Sequence, residues 1–198
     1  MTQLSVLTGD FIGSTGLAPD MLSRGYDALQ LAVQDITPHG VLTRVRGDGW
    51  QIAHTQPRLG LRLALRIRAG LRAIDPDLDT RIALATGAGD IPDNHDLNTA
   101  SGAAFIASGR ALDAMTDAAI YHSNGGAVAA LTRLADHLSR GWTQAQSAAI
   151  APMLCPDPPT HTQIAHSLGK SRQAVDQALR GGGFDALGEA LAFLEASP

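Results

Sequence analysis

The sequence predicts an α+β protein: a sheet domain over residues 1–125, a connecting helix over 126–140 and a small all-α domain over 141–198. Three observations predict it. Apolar, strand-like runs alternate with helix-period segments in the order β-α-β-β-α-β-(α)-β as far as residue 123. No strand-like run follows. The stretch THTQIAHSLGKSRQAVDQAL, residues 160–179, carries two helix-period segments on either side of a short turn.

Residues 3–11 read as a buried strand, and IGSTGLAP after it is turn-rich, with Pro19 suited to the first turn of a helix. Leu22, Tyr26, Leu29 and Val33 then recur at helical spacing, so a helix runs from about Asp20 to Asp35 and ends at Thr37, Pro38 and Gly40. VLTRVRGDGWQIAHT predicts a β-hairpin whose Asp-Gly pair forms a tight primed turn, placing Asp48 at the tip. PRLGLRLALRIRAGLRAI predicts an amphipathic helix with Arg58, Arg62 and Arg66 on a solvated face. TRIALATGAGDI is the next strand, DNHDLNTASG a polar loop, GAAFIASGRALDAM a short helix and AAIYHS a short strand. This order resembles a ferredoxin-like core, a layered sheet with helices on one face. The Cys-Pro-Asp-Pro-Pro run makes a rigid turn in the last segment, and Gly181–Gly183 stop its third helix before FDALGEALAFLEA begins a fourth.

Composition narrows the function classes. With 44% apolar residues the chain is globular and soluble, and its longest apolar tract is broken by Arg62, Arg66 and Arg68, which excludes a membrane span. The N-terminus lacks a basic region followed by an apolar core, so a cytoplasmic protein is expected. One cysteine, Cys155, excludes an internal disulfide and a cysteine-rich zinc site. The formal charge of −4 leaves no basic excess of the kind that drives strong nonspecific nucleic-acid binding.

Asp10 and Asp48 each end an apolar run in a small-residue turn, SVLTGDFIGST and RVRGDGWQI. Two carboxylates at such turns can hold Mg²⁺ or Mn²⁺ against the phosphates of a nucleotide, since Mg²⁺ takes one or two carboxylates plus phosphate oxygens. Backbone amides of Phe11, Ile12, Gly13, Ser14 and Thr15 are placed to cradle those phosphates. Without such a ligand, Asp10 caps a turn and Asp48 suits a hairpin. The cluster Asp90, Asp93, His95 and Asp96 has no regular ligand spacing and reads as a polar loop, and Trp50 and Trp142 read as core or interface residues.

The two turns resemble those of class III nucleotidyl cyclase domains, over roughly residues 3–122. More narrowly, GDFIGS, RGDGW, GAAFIASGRAL and the terminal helix pair look like the SatD-type family. The cyclase resemblance implies Asp10 and Asp48 as metal carboxylates, Arg110 as the phosphate-stabilising arginine, and a homodimer that shares each site head to tail. It also places Ile106 where an asparagine orients the ribose, Arg44 where a lysine reads the base, and Thr99 near the base-reading aspartate. Metal and phosphate features are kept, while ribose and base features are lost. In the terminal segment Ile164, Ala165, Leu168, Val175 and Leu179 pack two helices around LGKS, with Ser171 capping the second. Lys170, Ser171, Arg172, Gln173 and Gln177 would then face a duplex DNA major groove. The alternative is a helical pair used for dimerisation or docking.

The leading expectation is a regulatory protein, in which a nucleotide and divalent metal control a helix-turn-helix unit that binds DNA or a partner. A metal-dependent nucleotidyl cyclase or transferase is the enzymatic alternative, and an interaction protein without ligand is the third.

Overall fold

The computed structural model describes residues 2–196. The sheet domain comprises β1 (Thr2–Phe11), α1 (Pro19–Ile36), β2 (Val41–Arg44), β3 (Gly49–His54), α2 (Gly60–Ile74), β4 (Thr80–Asp90), β5 (Ser101–Gly102), α3 (Ala103–Ala114) and β6 (Ile120–His122). Helices α4 (Gly126–Arg140), α5 (Gln144–Met153), α6 (His161–Ser167), α7 (Arg172–Gly181) and α8 (Phe184–Ala196) follow. Among the described residues no helix is long and apolar enough to cross a membrane.

The strand order is β2-β3-β1-β4-β5, and β6 pairs with β4. Its first four strands are antiparallel and, with α1 and α2 as crossovers, have the split βαβ topology that the order of elements predicts. Only β6 runs parallel to its neighbour. Central β1 is apolar on both sides because both sides are covered. Leu7 and Phe11 pack with α1 and α2, whereas Leu4 and Val6 pack with Ala104 and Phe105 of α3. Helices therefore lie on both faces, contrary to the expected single helical face. A hydrogen bond of 2.8 Å between the hydroxyls of Thr8 and Ser108 ties α3 to β1.

The β2–β3 turn also differs from expectation. The positive φ of 75° falls at Gly47, and the Val45 amide donates to the Gly49 carbonyl at 2.8 Å. The connection is thus a longer loop turning at Gly47, with Asp48 on its returning side and Gly49 already in β3. Two-residue primed turns need positive φ at the Asp-Gly pair itself, and here the left-handed residue precedes it.

Arg58, in the turn before α2, is exposed as expected, but Arg62 and Arg66 of α2 form a packing seam. Arg62 makes a forked pair with Glu195 of α8 at 2.7 and 2.8 Å and also donates to the Leu154 carbonyl at 3.2 Å. Arg66 is buried and pairs with Asp35 of α1. Arg58 donates to the Glu195 carbonyl. The solvated-face reading fails at Arg62 and Arg66 because α2 is the central helix, with α1 and the terminal helices packed against it. One apolar cluster runs from Leu7, Ile52 and Ile82 through Leu63 and Leu71 to Trp142, Ile164 and Leu191, so the terminal helices share the interior of the sheet domain.

Within the terminal helices, α6 and α7 flank a turn in which Gly169 has φ 62°. Thr160 and Gln163 form a capping box on α6, and the Ser171 hydroxyl accepts from the Ala174 amide at the start of α7. Ile164, Ala165, Val175 and Leu179 are buried, whereas Leu168 sits exposed at the turn rather than packing. The two tryptophans are fully inside, each with its indole N–H satisfied: Trp50 by the Thr80 hydroxyl and Trp142 by the Gly182 carbonyl.

Candidate functional site

β1 delivers Asp10 to the end of the sheet, and pairing with β3 sets Asp10 opposite Gly49, one residue past Asp48. Register thus places two residues that lie far apart in sequence, Asp10 and Asp48, at the same end of the sheet. Gly9 makes this packing tight: a Cβ there would fall 2.3 Å from the Trp50 ring and 2.4 Å from the Arg81 carbonyl oxygen. The indole of Trp50 donates to the Thr80 hydroxyl, which donates to the Asp10 carbonyl at 2.6 Å. The strand end that carries Asp10 is therefore pinned from below.

Asp10, Asp48 and the turn residues Phe11, Ile12, Gly13, Ser14 and Thr15 line one cleft of about 700 Å³, together with Arg68, Arg72, Arg81 and Arg140. Gly13 takes a left-handed φ of 66°, and a short 3₁₀ turn over Ser14–Gly16 follows. Ile12 spends its amide on the Asp79 carbonyl. Among the described residues, the amides of Gly13, Ser14 and Thr15 make no hydrogen bond, the arrangement of an anion-binding nest. Four arginines against two carboxylates give the cleft wall a cationic balance.

Most of that charge is held rigidly. Buried Arg68 pairs with Asp79 at 2.7 Å and Asp136 at 3.1 Å, and Arg72 pairs with Asp79 while donating to the Trp142 carbonyl at 2.9 Å. Arg140 bonds to Asp136 and to the Asp117 carbonyl. Arg81 forks onto Asp10, its Nε donating to Oδ1 at 2.9 Å and its Nη2 to Oδ2. Hydrogen bonding to Asp10 holds the Arg81 pKa above its ordinary value, against the opposing effect of burial and with help from the charges of Asp10, Asp48 and Asp113. Asp48 makes no ion pair among the described residues.

Asp10 and Asp48 are the carboxylates of the cleft that could hold a divalent cation of the Mg²⁺ kind. Among the described residues no three His, Cys, Asp or Glu side chains converge, which excludes an all-protein cage. Two carboxylates are the number that Mg²⁺ takes before completing its octahedron with phosphate oxygens and water, and the arginines suit the phosphates rather than the metal.

Two expected nucleotide contacts stand apart. Arg44 lies on the hairpin with its guanidinium 3.9 Å above the Tyr26 ring, outside the cleft wall. Exposed Arg110, on α3, opens into a neighbouring cavity of about 560 Å³ that shares Thr116 and Ala118 with the cleft. Ile106 is 56% exposed on the same helix. The cleft arginines Arg68, Arg72, Arg81 and Arg140 lie outside the site residues that the sequence predicts. Arg81, a charged residue opening the apolar strand TRIALATG, was the one visible signal. On the terminal helices Lys170, Ser171, Arg172, Gln173 and Gln177 are all exposed around the start of α7. Arg172 is tethered to Asp176 at 3.8 Å, and Asp176 also meets the His161 ring at 2.5 Å.

No protein-family model and no curated protein matches the chain. Among solved structures it is similar to one described as a bacterial light-regulated adenylyl cyclase, with TM-score 0.45 and 19% identity over 61% of this chain and 75% of that one. A second of the same description gives TM-score 0.44 and 19% identity over 61% of this chain and 43% of that one.

Proposed function

We propose that the chain is a regulatory protein whose cleft binds a nucleoside triphosphate or related nucleotide with Mg²⁺ or Mn²⁺, and whose terminal helix pair carries the response to DNA or a partner. The observation that carries the reading is the convergence of Asp10, Asp48 and the open amides of residues 13–15 on one arginine-walled cleft. A metal held by the two carboxylates would supply neutralising charge. The chain's own residues do the rest: the turn amides orient phosphate oxygens, and the arginines compensate the remaining charge.

A route from cleft to helix pair supports the regulatory part. Arg72 donates to the Trp142 carbonyl, the Trp142 indole donates to the Gly182 carbonyl at 2.8 Å, and Gly182 caps the end of α7. A ligand that draws on Arg72 thus acts on a bonded chain that ends at the proposed reading helix. Within one chain Arg110 lines the neighbouring cavity, and in a head-to-tail pair it would instead serve the triphosphate held by the second copy.

Calorimetric titration of the full chain with each nucleoside triphosphate, with and without Mg²⁺, tests the reading. Metal-dependent binding that Asp48→Asn abolishes is expected, and the absence of binding to any triphosphate overturns it. The core shared by α2 and the terminal helices favours a second reading, of a fixed docking unit without DNA. Fluorescence anisotropy with duplex DNA separates the two.

A further inference from the structure

Asp10 faces Arg81 directly across the β1–β4 pairing, and both of its carboxylate oxygens accept a charge-assisted hydrogen bond from that guanidinium. Arg81 differs from the other arginines of the cleft. Arg68 and Arg72 are wedged between Asp79 and acceptors of the α4–α5 region, with side-chain exposures of 3% and 17%, and Arg140, 43% exposed, is tied to Asp136 and the Asp117 carbonyl, whereas Arg81 is 40% exposed and, among the described residues, its guanidinium bonds to Asp10 alone. It can therefore swing without breaking the interior. Its neighbour in the cleft, Asp48, is unpaired among the described residues.

We infer that Arg81 is an internal counter-ion that occupies Asp10 in the ligand-free protein and is exchanged for a divalent cation when a phosphate-bearing ligand enters, moving from the carboxylate to the phosphate. This rests on the metal and nucleotide reading above. Guanidinium and metal compete for the same carboxylate lone pairs and repel each other at contact distance. Metal alone must displace Arg81 into water, so it binds weakly. A phosphate chain gives the released guanidinium an anionic partner of equal quality, so metal and phosphate each strengthen the binding of the other. The exchange makes Arg81 a positioning residue and a gate against bare cations.

The test uses the full-length chain and Mn²⁺, whose binding is read from loss of the free-ion paramagnetic resonance signal. Arg81→Gln is expected to bind Mn²⁺ about tenfold or more tightly than the wild type in the absence of phosphate, and Asp10→Asn to lose binding. In the wild type, the nitrogen-proton resonance of Arg81 Nε is expected to move when Mg²⁺ and inorganic tripolyphosphate are added together. Equal Mn²⁺ affinity in wild type and Arg81→Gln overturns the exchange while leaving the metal reading intact. No Mn²⁺ binding by either protein overturns both. Should Arg81→Gln fail to fold, the wild-type resonance decides alone: if it stays fixed while phosphorus resonances report bound tripolyphosphate, the exchange is wrong.

Discussion

Arg68 and Asp136 meet in the interior between α2 and α4, with Nη1 donating to Oδ1 at 3.1 Å and the carboxylate wholly buried. Asp136 is a hub. It also accepts from the amides of Ala119 and Ile120 at 3.1 and 3.0 Å and from Arg133 at 2.8 Å. This one side chain thereby fixes the start of β6, the last turn of α4 and the back of the cleft.

Replacing Asp136 by Ala leaves a buried guanidinium short of an acceptor and two strand amides without partners. Breaking a buried ion pair from one side costs about 3–5 kcal/mol, and Asp136→Ala is expected to fall in that range. Urea unfolding followed by circular dichroism measures it. A loss under about 1 kcal/mol would mean that water replaces the carboxylate and that the hub is not structural.

The elements were legible in the sequence where periodicity was strong. Leu29 and Val33 on α1 and Leu7 on β1 are buried as their spacing predicts. The sharing of one cleft by Asp10 and Asp48 follows from register, which the hairpin and the strand pattern imply. What could not be read is who partners the arginines. Glu195 lies 133 residues from Arg62, and nothing local distinguishes a solvated arginine from one that docks a distant helix. Arg81 becomes meaningful only once β4 is known to pair with β1 opposite Asp10. The second helical face was missed for a similar reason: α3 is short and alanine-rich, and its covering role shows only against Leu4 and Val6.

Stability should fall with acidification through His54. Burial lowers its pKa from 6.5 to about 4, and its Nδ1 accepts from the Gln56 amide while Nε2 has no partner among the described residues. The fold holds the ring neutral, and the unfolded chain takes up a proton near its ordinary pKa. This contribution is therefore fully present above about pH 6.5 and is lost as pH falls toward 4. At about 1.4 kcal/mol per unit the whole effect is on the order of 3 kcal/mol. His122, whose pKa burial also lowers, acts in the same direction. Denaturant melts at pH 7.5 and pH 4.5 should differ more for the wild type than for His54→Gln, and equal pH slopes in the two proteins would rule His54 out.

Site sharing between two copies has a specific signature. Arg110 lines the cavity next to the Asp10 and Asp48 cleft rather than the cleft itself. In a head-to-tail pair, Arg110→Ala should lose about 1.5–3 kcal/mol of triphosphate binding, the range for a hydrogen bond to a charged group. Mixing Asp10→Asn chains with Arg110→Ala chains should then regenerate one intact site per mixed pair. Calorimetric stoichiometry of the mixture reads this directly, and failure to recover binding would place Arg110 outside the site.

Exposed Ile106 offers no hydrogen bond to a ribose, so bound triphosphate should not be cyclised. Incubating the full chain with each nucleoside triphosphate and Mn²⁺, followed by chromatography, is expected to return substrate unchanged. Rapid appearance of a cyclic nucleotide would show that another donor replaces the missing one and would make the protein an enzyme.

Arg172 is the sharpest probe of the terminal helices, because its side chain is 69% exposed at the start of α7 and held only by a long contact to Asp176. An arginine so placed can fork onto a guanine edge, whereas a phosphate contact would bind every sequence alike. If α7 reads DNA, Arg172→Ala should therefore cost about 1–3 kcal/mol and relax preference at a single base pair. The terminal segment carries few basic residues, so few counterions are released and affinity should depend only shallowly on salt. Anisotropy titrations of the wild type and Arg172→Ala against a randomised duplex pool, at several salt concentrations, give both quantities. A steep salt slope with unchanged sequence preference would make α7 a nonspecific backbone binder, and no binding even at low salt would leave the helix pair as a docking surface for protein.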